Sequence, residues 1–279
     1  MSAVRTRVLS ALLLAVAACG AFALELDGPL VQGGVLIGKV APGTPVALDG
    51  RAVRVAADGT FVIGFDRDAG AKHVLKAGAE TRTLSVAPRQ YDIQRVTGIA
   101  QAIMSPSAAD LKRIQREQAL VNAARSRDDA RTDFAAGFAW PITGRISGVY
   151  GSQRFYNGEP SRPHYGVDVA APVGAEVRAP AAGVVTLAEP DLFYSGGTVI
   201  IDHGHALSSS FLHLSEVLVG PGQRVARGEL IARVGATGRA TGPHLDWRMN
   251  WRDARVDPQL LAGAMPPAPS APVAQGDMN

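Results

Sequence analysis

Five of the six histidines fall between positions 164 and 244, and carboxylates stand near two of them at chemically useful spacings. His164-Tyr165-Gly166-Val167-Asp168 is an H-x-x-x-D pair behind Pro163. Gly242-Pro243-His244-Leu245-Asp246-Trp247-Arg248-Met249 reads as a strand. Alternate side chains of a strand share a face, so His244 and Asp246 can look into one site. His213, in Phe211-Leu212-His213-Leu214-Ser215, ends another strand and can reach that site from a neighbouring position. Imidazole and carboxylate are ordinary zinc ligands, and a catalytic zinc takes three of them and keeps a place for water. Taken singly, each His–Asp pair reads better as a structural hydrogen bond. His203 and His205, in Ile201-Asp202-His203-Gly204-His205, read as a strand end and turn, with His203 making structural hydrogen bonds. His73 stands alone and suits a surface or packing role.

Together these stretches resemble the lysostaphin/LytM family of zinc endopeptidases, which carries an H-x-G-x-D motif, a later aromatic-x-H strand and a terminal G-P-H-x-H-F segment. The matching residues are His164 to Asp168, Phe211-Leu212-His213 and Gly242 to Trp247. Gly174 to Ala179 and Pro180 to Val185 also look family-like, so the resemblance covers roughly residues 138–262. It implies one zinc held by His164, Asp168 and the residue two after His244. It also implies that His213 and His244 are non-ligand catalytic histidines, orienting the attacking water and stabilising the oxyanion. The implied substrate is a peptide bond in the stems or cross-links of peptidoglycan.

One ligand position departs from that pattern. The family has histidine where this chain has Asp246, followed by Trp247 in place of the usual phenylalanine. Zinc with two imidazoles and one carboxylate keeps a formal charge of +1; with His164, Asp168 and Asp246 the charge falls to zero. A less positive centre acidifies water less and polarises a carbonyl less. Carboxylates still coordinate zinc at about 2.0–2.2 Å, so binding survives in principle. A rival reading follows: a catalytically degenerate LytM-like regulator that activates another cell-wall hydrolase.

These residues need a scaffold, and the sequence outlines a mainly β one. Thirty-one glycines and eighteen prolines in 279 residues favour short strands and many turns. Residues 24–88 read as a small β-sandwich-like domain, with turns at Asp49-Gly50 and Asp58-Gly59 between apolar runs. Residues 89–137 read as a helical linker whose helix runs from 107 to about 131 and starts at the capping-box sequence Ser107-Ala108-Ala109-Asp110. Residues 138–262 read as an antiparallel β-rich, LytM-like peptidase domain, with strand candidates at Val184–Leu187, Gly197–Ile201, Ser209–Leu212 and Leu230–Val234. Residues 263–279 read as a disordered tail.

Residues 1–23 carry Arg5 and Arg7, a short apolar run and the A-x-A pattern Ala21-Phe22-Ala23, which together read as a secretory signal peptide too short to span a bilayer. Val16-Ala17-Ala18-Cys19 resembles a lipobox, so the exported chain is either a soluble periplasmic or cell-envelope protein or a lipoprotein carried by Cys19. As the single cysteine, Cys19 excludes an intrachain disulfide and a multi-cysteine zinc site. A net charge of +3 suits an anionic wall without selecting it. No nucleic-acid motif occurs, and no transmembrane span is expected in the mature form. The turn-rich run Val219–Gly228 resembles those of biotinyl- and lipoyl-carrier domains, but the last lysine is Lys112, so the domain has no residue for the covalent cofactor.

Overall fold

A computed structural model of the protein describes residues 23–96 and 107–267. Residues 1–22 of the leader expected over 1–23, Cys19 included, and most of the expected tail lie outside the described residues.

Seven strands make the N-terminal module: β1 (Glu25–Asp27), β2 (Val35–Lys39), β3 (Val46–Leu48), β4 (Arg51–Val53), β5 (Thr60–Gly64), β6 (Lys72–Ala77) and β7 (Glu80–Ser85). They form two antiparallel sheets, ordered β1-β2-β5 and β4-β3-β6-β7. The two expected turns differ in type. Asp49 and Gly50 both have positive φ, 49° and 79°, as a two-residue type I′ hairpin demands. At Asp58-Gly59 only Gly59 is left-handed, and Ala56 exchanges hydrogen bonds with Thr60 and Gly59, the pattern of a type I turn closed by a glycine bulge. Strand β5 is buried on both faces. One reason is that it packs against the C-terminal module: a Cβ on Gly64 would lie 2.9 Å from side-chain atoms of Trp251 and Val256. Apolar residues of both modules therefore form one continuous core.

The interval expected as a helical linker also contains a strand. β8 (Ile93–Val96) pairs in parallel with β10 (Gln153–Tyr156), which pairs with β11 (Glu159–Pro160). Pairing with a strand sixty residues ahead is invisible to local periodicity. Helix α1 (Ala108–Arg125) begins as expected, with the Ser107 and Asp110 side chains each accepting from the other's backbone N–H, and ends earlier than expected, capped at Ser126.

The remaining strands are β9 (Arg145–Gly148), β12 (Gly166–Ala170), β13 (Glu176–Arg178), β14 (Gly183–Leu192), β15 (Gly196–Asp202), β16 (Leu207–Val217), β17 (Arg224–Val225), β18 (Leu230–Val234), β19 (His244–Trp251) and β20 (Ala254–Val256), followed by α2 (Pro258–Ala262). The main sheet runs β17-β14-β15-β16-β19-β12-β9, with β18 joined to β16 and β13, and β20 to β19. Alternation along β19 decides which face does chemistry. Leu245, Trp247, Met249 and Trp251 point into the core, each stabilising the fold by roughly 1.5–3 kcal/mol. His244, Asp246, Arg248 and Asn250 consequently line the opposite face. Helix α1 covers part of the sheet beyond, where Val121 and Ala124 pack on Leu187, Leu192 and Ile200. No described helix is long and apolar enough to cross a membrane.

Candidate metal centre

Strand register brings the two carboxylates together. Asp168 on β12 lies directly opposite Asp246 on β19. Like charges placed opposite each other repel, so this pairing calls for a cation. His164 precedes β12, and its Nε2 lies 3.2 Å from Asp168 Oδ1. Four residues of straight strand would span about 13 Å, so the chain must bend ahead of Gly166 to return the imidazole. One donor atom from each of His164, Asp168 and Asp246 lies within 4.8 Å of the others, the one such cluster among the described residues.

The His164–Asp168 approach is close but not aligned as a hydrogen bond. Both His164 Nε2 and Asp168 Oδ1 are buried with no hydrogen-bond partner. Buried polar atoms are nearly always satisfied, and this pair of orphans fits a group that could hold a metal ion. An imidazole nitrogen and two carboxylates are a donor set that fits zinc. Burial would lower the His164 pKa, but the carboxylates of Asp168 and Asp246 outweigh it and hold it above its ordinary value.

Two glycines make room for the carboxylates. A Cβ on Gly166 would lie 2.6 Å from Asp246 Oδ1, Arg248 Cγ and the Trp247 carbonyl oxygen. A Cβ on Gly148 would lie 2.2 Å from Asp168 Oδ2.

Arg248 is the residue that sequence reasoning passed over. Its Nε donates to both Asp246 oxygens at 3.0 Å, and its Nη2 donates to Oδ2 at 2.5 Å. Burial would raise the Asp246 pKa, but the charges of Arg248 and His164 bring it down to about 2. The signal was available: Arg248 is two residues after Asp246 and so must share its face of the strand.

His213 and His244 flank the cluster, with ring centroids 4.8 Å apart. His244 Nε2 lies 3.8 Å from Asp168 Oδ1. His213 Nδ1 lies 2.8 Å from the Thr237 carbonyl and His244 Nδ1 lies 2.8 Å from the Gly242 carbonyl. A carbonyl only accepts, so both Nδ1 atoms carry the proton and Nε2 remains for chemistry. Burial holds the His213 pKa below its ordinary value, against the hydrogen bond to Thr237.

His213 does not end its strand; it sits where β16 changes partners. Pairing with β19 stops at Leu212, and pairing with β18 begins at Leu214. Its φ is +65°, a conformation that costs a non-glycine residue and that surrounding contacts must enforce. Its N–H donates to the Ser195 carbonyl at 2.8 Å, in the turn between β14 and β15. Helix α1 braces that turn, because Glu117 Oε2 accepts from the Phe193 N–H at 2.7 Å while Oε1 accepts from Arg113. Neither Thr237 nor Glu117 carried a motif that could reveal this.

The other histidines stay apart from the cluster. His203 is fully buried between the Ala182 carbonyl and Ser209 Oγ, and burial lowers its pKa to about 4. His205 packs against Phe134, and His73 pairs with Asp49.

Residues 162–258 match Peptidase family M23. A solved Pseudomonas aeruginosa structure assigned to peptidase M23 is 34% identical, covering 86% of this chain and 97% of that one at a TM-score of 0.68. The chain belongs to peptidase family M23. Its M23 domain occupies the C-terminal region and contains all five clustered residues. Peptidoglycan DD-endopeptidase ShyA of Vibrio cholerae is 40% identical over 110 residues, 39% of this chain and 25% of that protein. DD-carboxypeptidase/endopeptidase Mpg of Neisseria meningitidis is 38% identical over 118 residues, 42% of this chain and 27% of that protein. The M23 chain thus spans about a quarter of the length of these curated relatives.

Proposed function

We propose that the protein is an exported zinc metalloendopeptidase that hydrolyses peptide bonds in the stems or cross-links of peptidoglycan. The observation that carries this reading is the convergence of His164, Asp168 and Asp246 around two orphaned, buried ligand atoms, beside two imidazoles that each present Nε2. The substrate is that of the peptidoglycan DD-endopeptidase ShyA, and the leader-like sequence at residues 1–23 suits delivery to the wall. His164, Asp168 and Asp246 would hold the zinc. When bound, it supplies Lewis-acid chemistry, polarising the scissile carbonyl and acidifying water. His213 and His244 orient the attacking water by accepting from it at Nε2, and an Nε2 that has taken up the water's proton donates to and stabilises the developing oxyanion. Arg248 answers the charge problem raised by Asp246. Two carboxylates cancel the charge of zinc, and the guanidinium fixed on Asp246 restores one positive charge to the neighbourhood, as in a two-histidine, one-aspartate site.

The same contact favours a second reading, a degenerate regulator of another hydrolase. Arg248 engages both oxygens of Asp246 and can stand in for a metal there. Zinc content and fragment release from purified peptidoglycan, with and without chelator, separate the two. For the enzyme, Asp246→Ala weakens zinc binding by more than about 100-fold, beyond the loss of an outer partner, and abolishes cleavage. Asp246→His keeps the metal. For the regulator, the parent takes up no zinc and releases no fragments. Cleavage that persists in Asp246→Ala would refute the coordination and leave the peptidase standing.

A further inference from the structure

The face of β19 that carries Asp246 continues away from the metal cluster into a cleft of about 820 Å³. Its walls include Arg51 from the N-terminal module, Arg125 from the end of α1, Asn250 from β19, and Arg252 and Arg255 from the β19–β20 hairpin. Four arginines face two aspartates, Asp128 and Asp253, and these already have partners: Asp128 pairs with Arg54 at 2.8 Å and Asp253 with Arg51 at 3.7 Å. Among the described residues, neither Arg125 nor Arg255 has a carboxylate within ion-pair distance. Arg255 donates to Asn250 Oδ1 and lies over the Tyr165 ring, next to His164 in sequence.

Arg125 is the more unusual of the two. Its Nη2 donates to Ser210 Oγ at 3.0 Å, and its Nε is buried with no partner. Burial first, and then the charges of Arg255 and Arg248, lower its pKa to about 9. A buried cation without a counter-ion destabilises a fold, and such groups persist where a ligand supplies the missing charge. Ser210 lies opposite Arg248 in the strand register, and Arg248 is two residues from Asp246, or about 7 Å along β19. An extended peptide covers that distance in about two residues.

We propose that Arg125, with Arg255, forms an anion subsite that binds a free peptide carboxylate on the substrate, about two residues from the bond positioned at the metal cluster. The assignment rests on the reading of that cluster as the cleavage centre. Peptidoglycan stems carry free carboxylates on and near the chain, so the class of ligand fits the class of substrate.

The test is calorimetric titration of the full chain with the pentapeptide L-Ala-γ-D-Glu-L-Lys-D-Ala-D-Ala, its fully amidated counterpart, and inorganic phosphate. The acid peptide should bind at least about 10-fold more tightly than the amide, as expected for a charge-assisted hydrogen bond, and Arg125→Met should abolish that preference. The same substitution should raise the melting temperature of the free protein, because it removes an uncompensated buried charge. Equal binding of acid and amide, no binding of either, or a preference retained in Arg125→Met would overturn the subsite. A lower melting temperature in Arg125→Met would assign the side chain to structure instead. Tighter binding of phosphate than of the acid peptide would overturn the carboxylate assignment. The metallopeptidase reading fails on different measurements, zinc uptake and fragment release, so the two failures are distinguishable.

Discussion

Adding one methyl group at Gly166 tests whether the metal cluster is built by close strand approach. In Gly166→Ala the new Cβ would sit 2.6 Å from Asp246 Oδ1, Arg248 Cγ and the Trp247 carbonyl oxygen. Ordinary contact begins near 3.4 Å, so each atom lies about 0.8 Å too close. The Arg248 methylene can turn aside, but the Trp247 carbonyl belongs to the β12–β19 ladder and cannot move alone. The strands must part locally, or Asp246 must shift. Metal–ligand distances tolerate only about 0.2 Å, so a shift of this size removes Asp246 from a shared site. The expected result is zinc binding weakened at least about 10- to 100-fold. Overpacking should also cost about 1–3 kcal/mol of stability in the metal-free protein. Competition with a chromophoric chelator measures the first, and thermal or denaturant unfolding the second. Gly70→Ala is the control, since a Cβ there meets nothing within 4 Å. A Gly166→Ala protein with the zinc affinity and melting temperature of its parent would refute the reasoning, because the crowding would then be no constraint on the site.

The join between the modules should be similarly sensitive. Arg89 donates to Asp257 Oδ2 at 2.8 Å, and the Asp257 side chain is 1% exposed. Arg89→Met leaves that carboxylate buried without its cation and should cost about 3–5 kcal/mol; a loss under about 1 kcal/mol in denaturant unfolding would show that the pair does not hold the modules. His203 should give stability a distinct pH dependence. Its folded pKa of about 4 lies below the ordinary 6.5, so an unfolded chain takes a proton that the buried ring refuses. The stability it permits is complete above pH 6.5 and is lost as pH falls toward 4, by about 3 kcal/mol. Burial raises the Asp202 pKa to about 6, which titrates in the opposite sense, so the informative quantity is the difference between parent and His203→Gln. That difference should change by about 3 kcal/mol between pH 7 and 4, and a flat difference would contradict the assignment.

Local chemistry and simple periodicity explain what was legible beforehand. The five residues of the cluster were named from their types, from two-residue alternation in β19, and from a family resemblance. The Ser107 cap and the Asp49-Gly50 hairpin were equally local, since each depends on the conformation of a few adjacent residues. What remained hidden depends on contacts distant in sequence. Strand β8 is defined by a partner sixty residues later, and the expected helical linker could not disclose it. The left-handed conformation of His213 follows from β16 switching partners, and its brace runs through Glu117 on a helix nearly a hundred residues earlier. Gly166 and Gly148 are bare because strands from elsewhere place carboxylates against them. The role of Arg248 lies between these cases: its face was set by the sequence, but only the assembled strands show its guanidinium closing on both oxygens of Asp246. Residue types and spacing determine which groups can bind a metal and move protons. Tertiary structure decides their distances, their burial and their charge partners, because those quantities depend on which distant strands the core brings side by side.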